Sequence, residues 1–340
     1  MQNFTARAEP LDGDRWRIWY SVSGSTSAYR VAFAEGIPGE TMTKTPALCS
    51  PGDPADAPFS IGNLPDRWKP VQPVHIRLRD GRHRLYFWAH GPSVCRYLAA
   101  ESSDGRRYRV LDPLRPVLYH PNDRAAHGVP TPDGVMLRNT LNPGRPGEEP
   151  LARSHLISND ATNVYLLPDG SFELYTVALK RVSRDDPAYV PEDNAPGLIR
   201  CIDRMASNDG IHFTDRKRVI ERDKNDPPDQ QFYFLSVTHT PQGRIGMLGS
   251  YLCARQTVDV EWCFSPDGVQ WQRTPGRAWI ERGAPPSPDC YGIYAPSQLV
   301  HHDRQWHLFY TAANHTHNGK ITSGERRQCV MWAKTKNISV

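Results

Sequence analysis

Residues 163–181 read NVYLLPDGSFELYTVALKR. An apolar run meets a Leu-Pro-Asp-Gly turn and continues into a second run rich in aromatic and β-branched residues. Asp-Gly supplies the positive φ that a tight hairpin needs, so the stretch predicts two antiparallel strands. The same order recurs four times. Aromatic-rich segments DRWRIWYS (14–21), RHRLYFWAH (82–90), RIGMLGSYL (244–252) and RQWHLFYTA (304–312) each follow a polar turn (LDGD, RDG, TPQG, HHD). Each of those turns follows an apolar run of its own.

A third strand follows every hairpin: YRVAFAEG (29–36), YLAAESSDG (97–105), IRCIDRMASNDG (199–210), VDVEWCFSPDG (258–268) and QCVMWAKTK (328–336). Three of them run into Ser-x-Asp-Gly and then an aromatic, in SSDGRRY, SNDGIHF and SPDGVQW. Short fourth strands follow in RPVLYH, KRVIER and RAWIER. The last unit lacks a clear fourth strand. A four-stranded antiparallel meander recurring about every 60 to 90 residues is the signature of propeller blades. The expected fold is all-β: one five-bladed β-propeller of four-stranded antiparallel blades. The blades fall at roughly 1–70, 71–158, 159–228, 229–288 and 289–340, with a long insertion at 119–158 expected to form an extra hairpin or lid.

Bulk composition narrows the function classes. With 38% hydrophobic and 23% charged residues, the 340-residue chain is globular. A formal charge of +4 without any Lys/Arg block argues against a nucleic-acid partner. No apolar run reaches the length of a membrane span, so no membrane partner is expected. The start, MQNFTARAEPLDG, lacks the apolar core of a signal peptide, and the seven cysteines include no C-x-x-C pair. Reduced thiols and a cytoplasmic location are therefore expected.

The S-x-D-G-x-x-aromatic turns, NDATNVYLLPDGSFELY, NDPPDQQFYF and YGIYAPSQLVHHDRQWHLFYT together resemble the five-bladed propeller glycosidases of glycoside hydrolase families 32, 43, 62, 68 and 130. The resemblance covers nearly the whole chain, and it is closest to bacterial glycosidase-like propellers. It implies a carbohydrate substrate, no cofactor, and three acidic residues converging on an axial pocket. Family 32 carries a W-M-N-D-P-N-type motif on its first blade, where this chain has MQNFTAR.

Propeller topology sorts the carboxylates by face. Asp80, Asp169 and Asp303 lie in first-to-second-strand turns, and Asp104, Asp209 and Asp267 in third-to-fourth-strand turns, where Asp-Gly chemistry is structural. Asp160, Asp229 and Asp289 precede the inner strands of units three, four and five. Three carboxylates in one topological slot could share an axial pocket and split their pKa values into acid and base. By analogy with the glycosidases, Asp229 or Glu221 would donate the proton, Asp160 would act as orienting residue or base, and Asp289 would be the third acid. Glu221 also reads as half of a structural Glu/Arg pair.

Expected sugar-binding residues on the same face are His90, Arg153, His155, Asp193, Asn194, Gln230, Gln231, Tyr233, Tyr291, Tyr294, His315, His317 and Asn318. They combine planar hydrogen-bonding groups with aromatic faces. His315 and His317 form an H-x-H pair, but spacing offers no third ligand, so no metal is expected. The leading expectation is paired-carboxylate cleavage of a glycoside. The alternatives are a carbohydrate-binding propeller without hydrolytic chemistry and a phosphorylase with Arg153, Arg255 or His155 on phosphate.

Overall fold

The computed structural model describes residues 6–23, 29–47, 57–92, 94–120, 123, 156–159, 161–191, 193, 195–319 and 324–338. Asp160, Arg153, His155, Asn194 and nearly all of the 119–158 insertion lie outside the described residues. Among those described there is no helix.

The first sheet has the order β1-β2-β3-β4, from β1 (Arg7–Pro10), β2 (Trp16–Ser23), β3 (Tyr29–Gly36) and β4 (Thr43–Pro46). The second is built from β5 (Ser60–Gly62), β6 (Lys69–Arg77), β7 (His83–Gly91), β8 (Val94–Ser102), β9 (Arg107–Val110) and β10 (Leu118–Tyr119). Its fourth position is split: β8 pairs β9 at one end and β10, from the RPVLYH segment, at the other. The third contains β11 (Leu156–Ile157), β12 (Asn163–Leu166), β13 (Phe172–Arg181), β14 (Leu198–Ser207) and β15 (Thr214–Ile220).

The remaining strands are β16 (Gln230–Thr240), β17 (Gly243–Leu252), β18 (Thr257–Ser265) and β19 (Gln272–Ile280), then β20 (Gly292–Tyr294), β21 (Val300–His302), β22 (Gln305–Ala313) and β23 (Gln328–Thr335). They form one eight-stranded hydrogen-bonded sheet, in which a single parallel pair, Val258 with Gly292, joins two antiparallel arrays. Apart from that pair and β5 on β9, all pairing is antiparallel. Sequence-local antiparallel sheets stacked face to face make an architecture of the β-propeller kind.

Each central strand is apolar on both faces because each face meets another sheet. In β7, Leu85, Phe87 and Ala89 pack with Trp19, Phe33 and Phe59, whereas Tyr86 and Trp88 pack with Val164, Phe172 and Leu174. In β13, Leu174 faces that second cluster, and Tyr175 and Val177 face Phe232, Leu235 and Leu248. Tyr233, Met247 and Trp262 then pack with Ile293, Leu308 and Tyr310. Trp16 and Ile18 of β2 bury against Phe309 of β22, so the first sheet packs on the last array through side chains. The Trp16 ring lies 4.7 Å from that of His307 and 5.0 Å from Phe309.

The Ser-x-Asp-Gly turns fasten neighbouring sheets. In the turn at 207–210 the Asp209 carboxylate accepts the amides of Ile211 and His212, and Ser207 Oγ accepts that of Gly210. The same pattern recurs at Ser265–Asp267–Gly268 and Ser102–Asp104–Gly105. The turn is closed by positive φ, +72° at Gly210, which frees its carbonyl to accept the Tyr86 hydroxyl of the preceding sheet at 2.8 Å. Tyr175 makes the corresponding bond to Gly268 at 3.4 Å.

A buried ion cluster ties the third and fourth sheets. Glu173 is fully buried and holds Arg204 and Arg244, each at 2.6 Å, and His239 at 2.9 Å. Burial alone would raise the Glu173 pKa, but hydrogen bonds from His239, Arg244 and Arg204 pull it far below its usual value of 4.5.

A Cβ at Gly210 would meet the Arg84 guanidinium at 2.6 Å and the Tyr86 hydroxyl at 2.7 Å. Gly210→Ala therefore adds a steric clash to left-handed strain and should cost about 1–3 kcal/mol in denaturant melts, more than Gly13→Ala, which at a φ of +64° carries the strain without the clash. For Glu173 the folded pKa lies below the unfolded one. Its stabilisation is complete above about pH 4.5 and fades as pH falls further. Thermal melts across pH should show the wild type losing stability below that point more steeply than Glu173→Gln, which is destabilised at neutral pH by about 3–5 kcal/mol.

Candidate functional site

Inner strands from successive sheets diverge at the axis and leave a cavity of about 720 Å³ around their N-terminal ends. Ser21 comes from β2, Val71 and Gln72 from β6, His90 from β7, Asn159 and Ala161 from the segment before β12, Tyr233 and Phe234 from β16, and Tyr294 from β20. Arg67 and Lys69 supply cationic side chains to the same wall. The size suits a sugar-sized ligand.

Local backbone irregularities aim several of these groups. The β6–β7 register shifts between Val71 and Val74, and Gln72 sits at a φ of 57°. Its amide N–H donates to Ser21 Oγ at 2.7 Å, bridging first and second sheets. The buried Gln72 side-chain oxygen has no hydrogen-bond partner among the described residues. A second shift between Phe232 and Leu235 places consecutive residues Tyr233 and Phe234 on one side of β16, where both line the cavity.

Three of the expected binding residues meet on this wall: His90, Tyr233 and Tyr294. The His90 ring nitrogen Nε2 lies 3.3 Å from Asn159 Nδ2, and burial lowers its pKa, favouring the neutral ring. Tyr294 is hydrogen-bonded through its hydroxyl to His317 Nδ1 at 2.8 Å, and burial pushes its phenol up. His317 packs edge-on to Tyr233 at 4.6 Å, so it orients the aromatic wall from behind. The His317 and Asn318 amides are fixed by Gln256.

Other expected residues stand behind the wall. Arg200 donates to Asp193 at 3.0 Å and to Gln231 Oε1 at 2.7 Å, with its guanidinium 5.1 Å from the Tyr233 ring centre. Asp193 also accepts the Tyr251 hydroxyl at 3.1 Å. Gln230 turns into the fourth sheet, donating to Ser250 and Glu261. Tyr291 is partly exposed and does not line the cavity; its backbone bonds to Val258 and Ala313. His315 is buried, its Nδ1 2.8 Å from the Thr316 carbonyl oxygen and its Nε2 without a partner among the described residues, and burial lowers its pKa.

The carboxylates are distributed differently from the wall. Asp229 Oδ2 accepts the Ala254 amide at 3.0 Å, which fixes the turn after β17. Asp289 is buried and accepts the Gly283 amide at 3.2 Å and the Ser287 hydroxyl, closing the loop that leads into β20. Glu221 is exposed beside Lys180 and Arg218. None of these three lines the cavity, and no carboxylate does among its described residues. Asn159, immediately before Asp160 in the chain, does.

Sequence reasoning overlooked Arg67, Lys69, Gln72, Ser21 and Asn159. In DRWKPVQ, Arg67 occupies the slot before the inner strand that singled out Asp160, Asp229 and Asp289 in later units, and Lys69 opens that strand. Applying the slot to cations as well as acids would have found Arg67. Gln72 carries no sequence signal, because its exposure to the cavity comes from the bulge. The described cysteines Cys95, Cys201, Cys253, Cys263 and Cys290 are buried, and burial raises the Cys201 thiol to about 12, so it is no nucleophile.

No family model matches the sequence, and no match is found among curated proteins. Solved structures do match across the whole chain. A thermostable family-43 glycoside hydrolase superposes with a TM-score of 0.61 at 10% identity, covering 98% of this chain and 89% of that one. An N-acetylgalactosamine deacetylase from F. plautii, solved with blood group B trisaccharide, gives 0.56 at 13%, covering 97% and 88%. A member of the GH130 family of mannoside phosphorylases, described as containing hydrolases that target β-1,2 mannosidic linkages in Candida mannan, gives 0.52 at 13%, covering 91% and 80%. The chain has the fold of glycoside hydrolase-like propellers. Identity this low establishes the shared fold alone.

Arg200 is the side chain on which the wall leans. Arg200→Met leaves Asp193 buried without its cation, and should cost about 3–5 kcal/mol in urea melts. The double variant Arg200→Met/Asp193→Leu should recover much of that loss, and a failure to recover would place the cost elsewhere.

Proposed function

We propose that this chain is a glycosidase-like enzyme acting on a carbohydrate in the axial cavity of a single five-bladed propeller. The five-blade count is supported by five apolar clusters linking successive strand arrays, the last of them joining the final array to the first sheet. The functional reading is carried by one observation: aromatic faces and planar polar groups from successive inner strands converge on one sugar-sized cavity. Tyr233 and Tyr294 suit the C–H face of a pyranose, while Gln72, Asn159, His90 and Ser21 suit its hydroxyls.

In this reading Asp160 is the essential carboxylate, because it follows the wall residue Asn159 and opens the inner strand of the third unit. Asp229 and Asp289 shape the loops around the mouth, and one of them serves as the partner acid once substrate is bound. Paired carboxylates would cleave the glycosidic bond by general acid/base catalysis. The rival is a carbohydrate-binding propeller without bond cleavage. It is favoured by the absence of a carboxylate among the described wall residues.

A glycan screen with and without inorganic phosphate separates the readings. Phosphate-independent product release that falls about 10²–10⁴-fold in Asp160→Asn supports the hydrolase. Strict phosphate dependence marks a phosphorylase. Saturable binding without any product, weakened in Tyr233→Ala and unchanged in Asp160→Asn, would replace the enzyme by the binding protein.

A further inference from the structure

The axis has a second cavity, about 600 Å³, around the opposite, C-terminal ends of the inner strands. The expected architecture assigns only hairpin turns to that face. A hydrogen-bonded partition separates the two ends. Arg7 of β1 donates through Nη2 to Asn163 Oδ1 at 2.8 Å, and Asn163 Nδ2 donates to the Leu235 carbonyl at 2.8 Å. Arg7 lines the second cavity and not the first.

Arg7 is only 8% exposed, yet among the described residues no carboxylate lies within ion-pair distance of it. Its guanidinium rests 5.3 Å from the Tyr165 ring centre, and its Nε makes no hydrogen bond. Burial lowers its pKa, offset only in part by Tyr165 and Tyr97 and by a hydrogen bond to the Tyr165 hydroxyl. Glu9, a carboxylate on the same cavity wall, is committed elsewhere: it holds His75 Nδ1 at 2.8 Å, Trp19 Nε1 at 3.1 Å and Arg17 at 3.3 Å. Arg77 adds an exposed guanidinium to the wall.

A buried, unpaired guanidinium is costly unless something completes it. We propose that this second cavity is an anion site, in which Arg7 and Arg77 hold the carboxylate or phosphate of a small sugar-sized anion. Guanidinium groups match oxyanions through paired, charge-assisted hydrogen bonds, and the cavity volume leaves room for the body that carries the anion. The ligand reaches the opposite end of the axis from the cavity at Tyr233 and Tyr294, so the site is distinct from the proposed glycosidase centre.

Calorimetric titration of the full chain with inorganic phosphate, and separately with glucuronate, at constant ionic strength tests this. Saturable binding of either anion is expected, weakened at least about 10-fold in Arg7→Met and several-fold in Arg77→Ala. Phosphate binding alone identifies a free-phosphate site, and tighter glucuronate binding identifies a carboxylated sugar. Arg67→Ala/Lys69→Ala, which alters only the other cavity, should leave the affinity within about twofold. Loss of binding in that double variant, or no saturable binding of either anion, overturns the proposal. If Arg7→Met fails to fold, unchanged affinity in the exposed Arg77→Ala variant overturns it equally.

Discussion

Every central strand of this protein is covered on both faces, and the rest of the structure follows from that constraint. A sheet covered once could alternate apolar and polar residues. Here Leu85, Phe87 and Ala89 are buried against one neighbour, and Tyr86 and Trp88 against the other. The chain therefore spends its aromatic residues on second strands, and joins the first sheet to the last through Trp16 and Phe309 without a shared strand. Many of the polar groups at these interfaces are paired, whereas the Tyr108 hydroxyl and the Trp262 indole N–H have no partner among the described residues. The Tyr86–Gly210 bond and the Glu173 cluster are the two clearest cases of pairing.

At the axis, Gln72 Oε1 and Arg7 Nε are buried without a hydrogen-bond partner among the described residues. Twisted sheets converge there by their first strands, which are short or bulged and cannot fill the space. Two cavities result, with the Arg7–Asn163–Leu235 partition between them. At one end are aromatics, amides and two surface cations. At the other is a buried arginine whose carboxylate neighbour Glu9 serves other partners.

The two ends differ in how their groups are held. Around the first cavity, Tyr233 and Tyr294 are braced from behind by Arg200 and His317, so the wall is rigid before any ligand arrives. Such pre-organisation reduces the ordering cost of binding. Asp193, Gln231 and His317 thus contribute by holding the residues that face the cavity. A glycoside hydrolase and a deacetylase among the structural neighbours illustrate that one scaffold supports different chemistry.

Hairpins, Ser-x-Asp-Gly turns and their repetition were legible in the sequence, because turn chemistry and strand periodicity are local properties. Asp169 is a turn residue on those grounds: its carboxylate accepts the Ser171 amide at 2.9 Å and its hydroxyl at 2.6 Å. The slot before each inner strand was also legible, but not what its side chains do. Asp229 and Asp289 bond to amides that only the folded loops bring near, while Arg67 in the equivalent slot, and Lys69 at the start of β6, line the cavity. Gln72 reaches the cavity because β6 bulges, and among the described residues Arg7 has no carboxylate at ion-pair distance, Glu9 being held by His75 and Arg17. The sequence by itself determined the strands and turns; tertiary structure decided which polar groups are satisfied, since their partners come from distant strands that meet only at the axis.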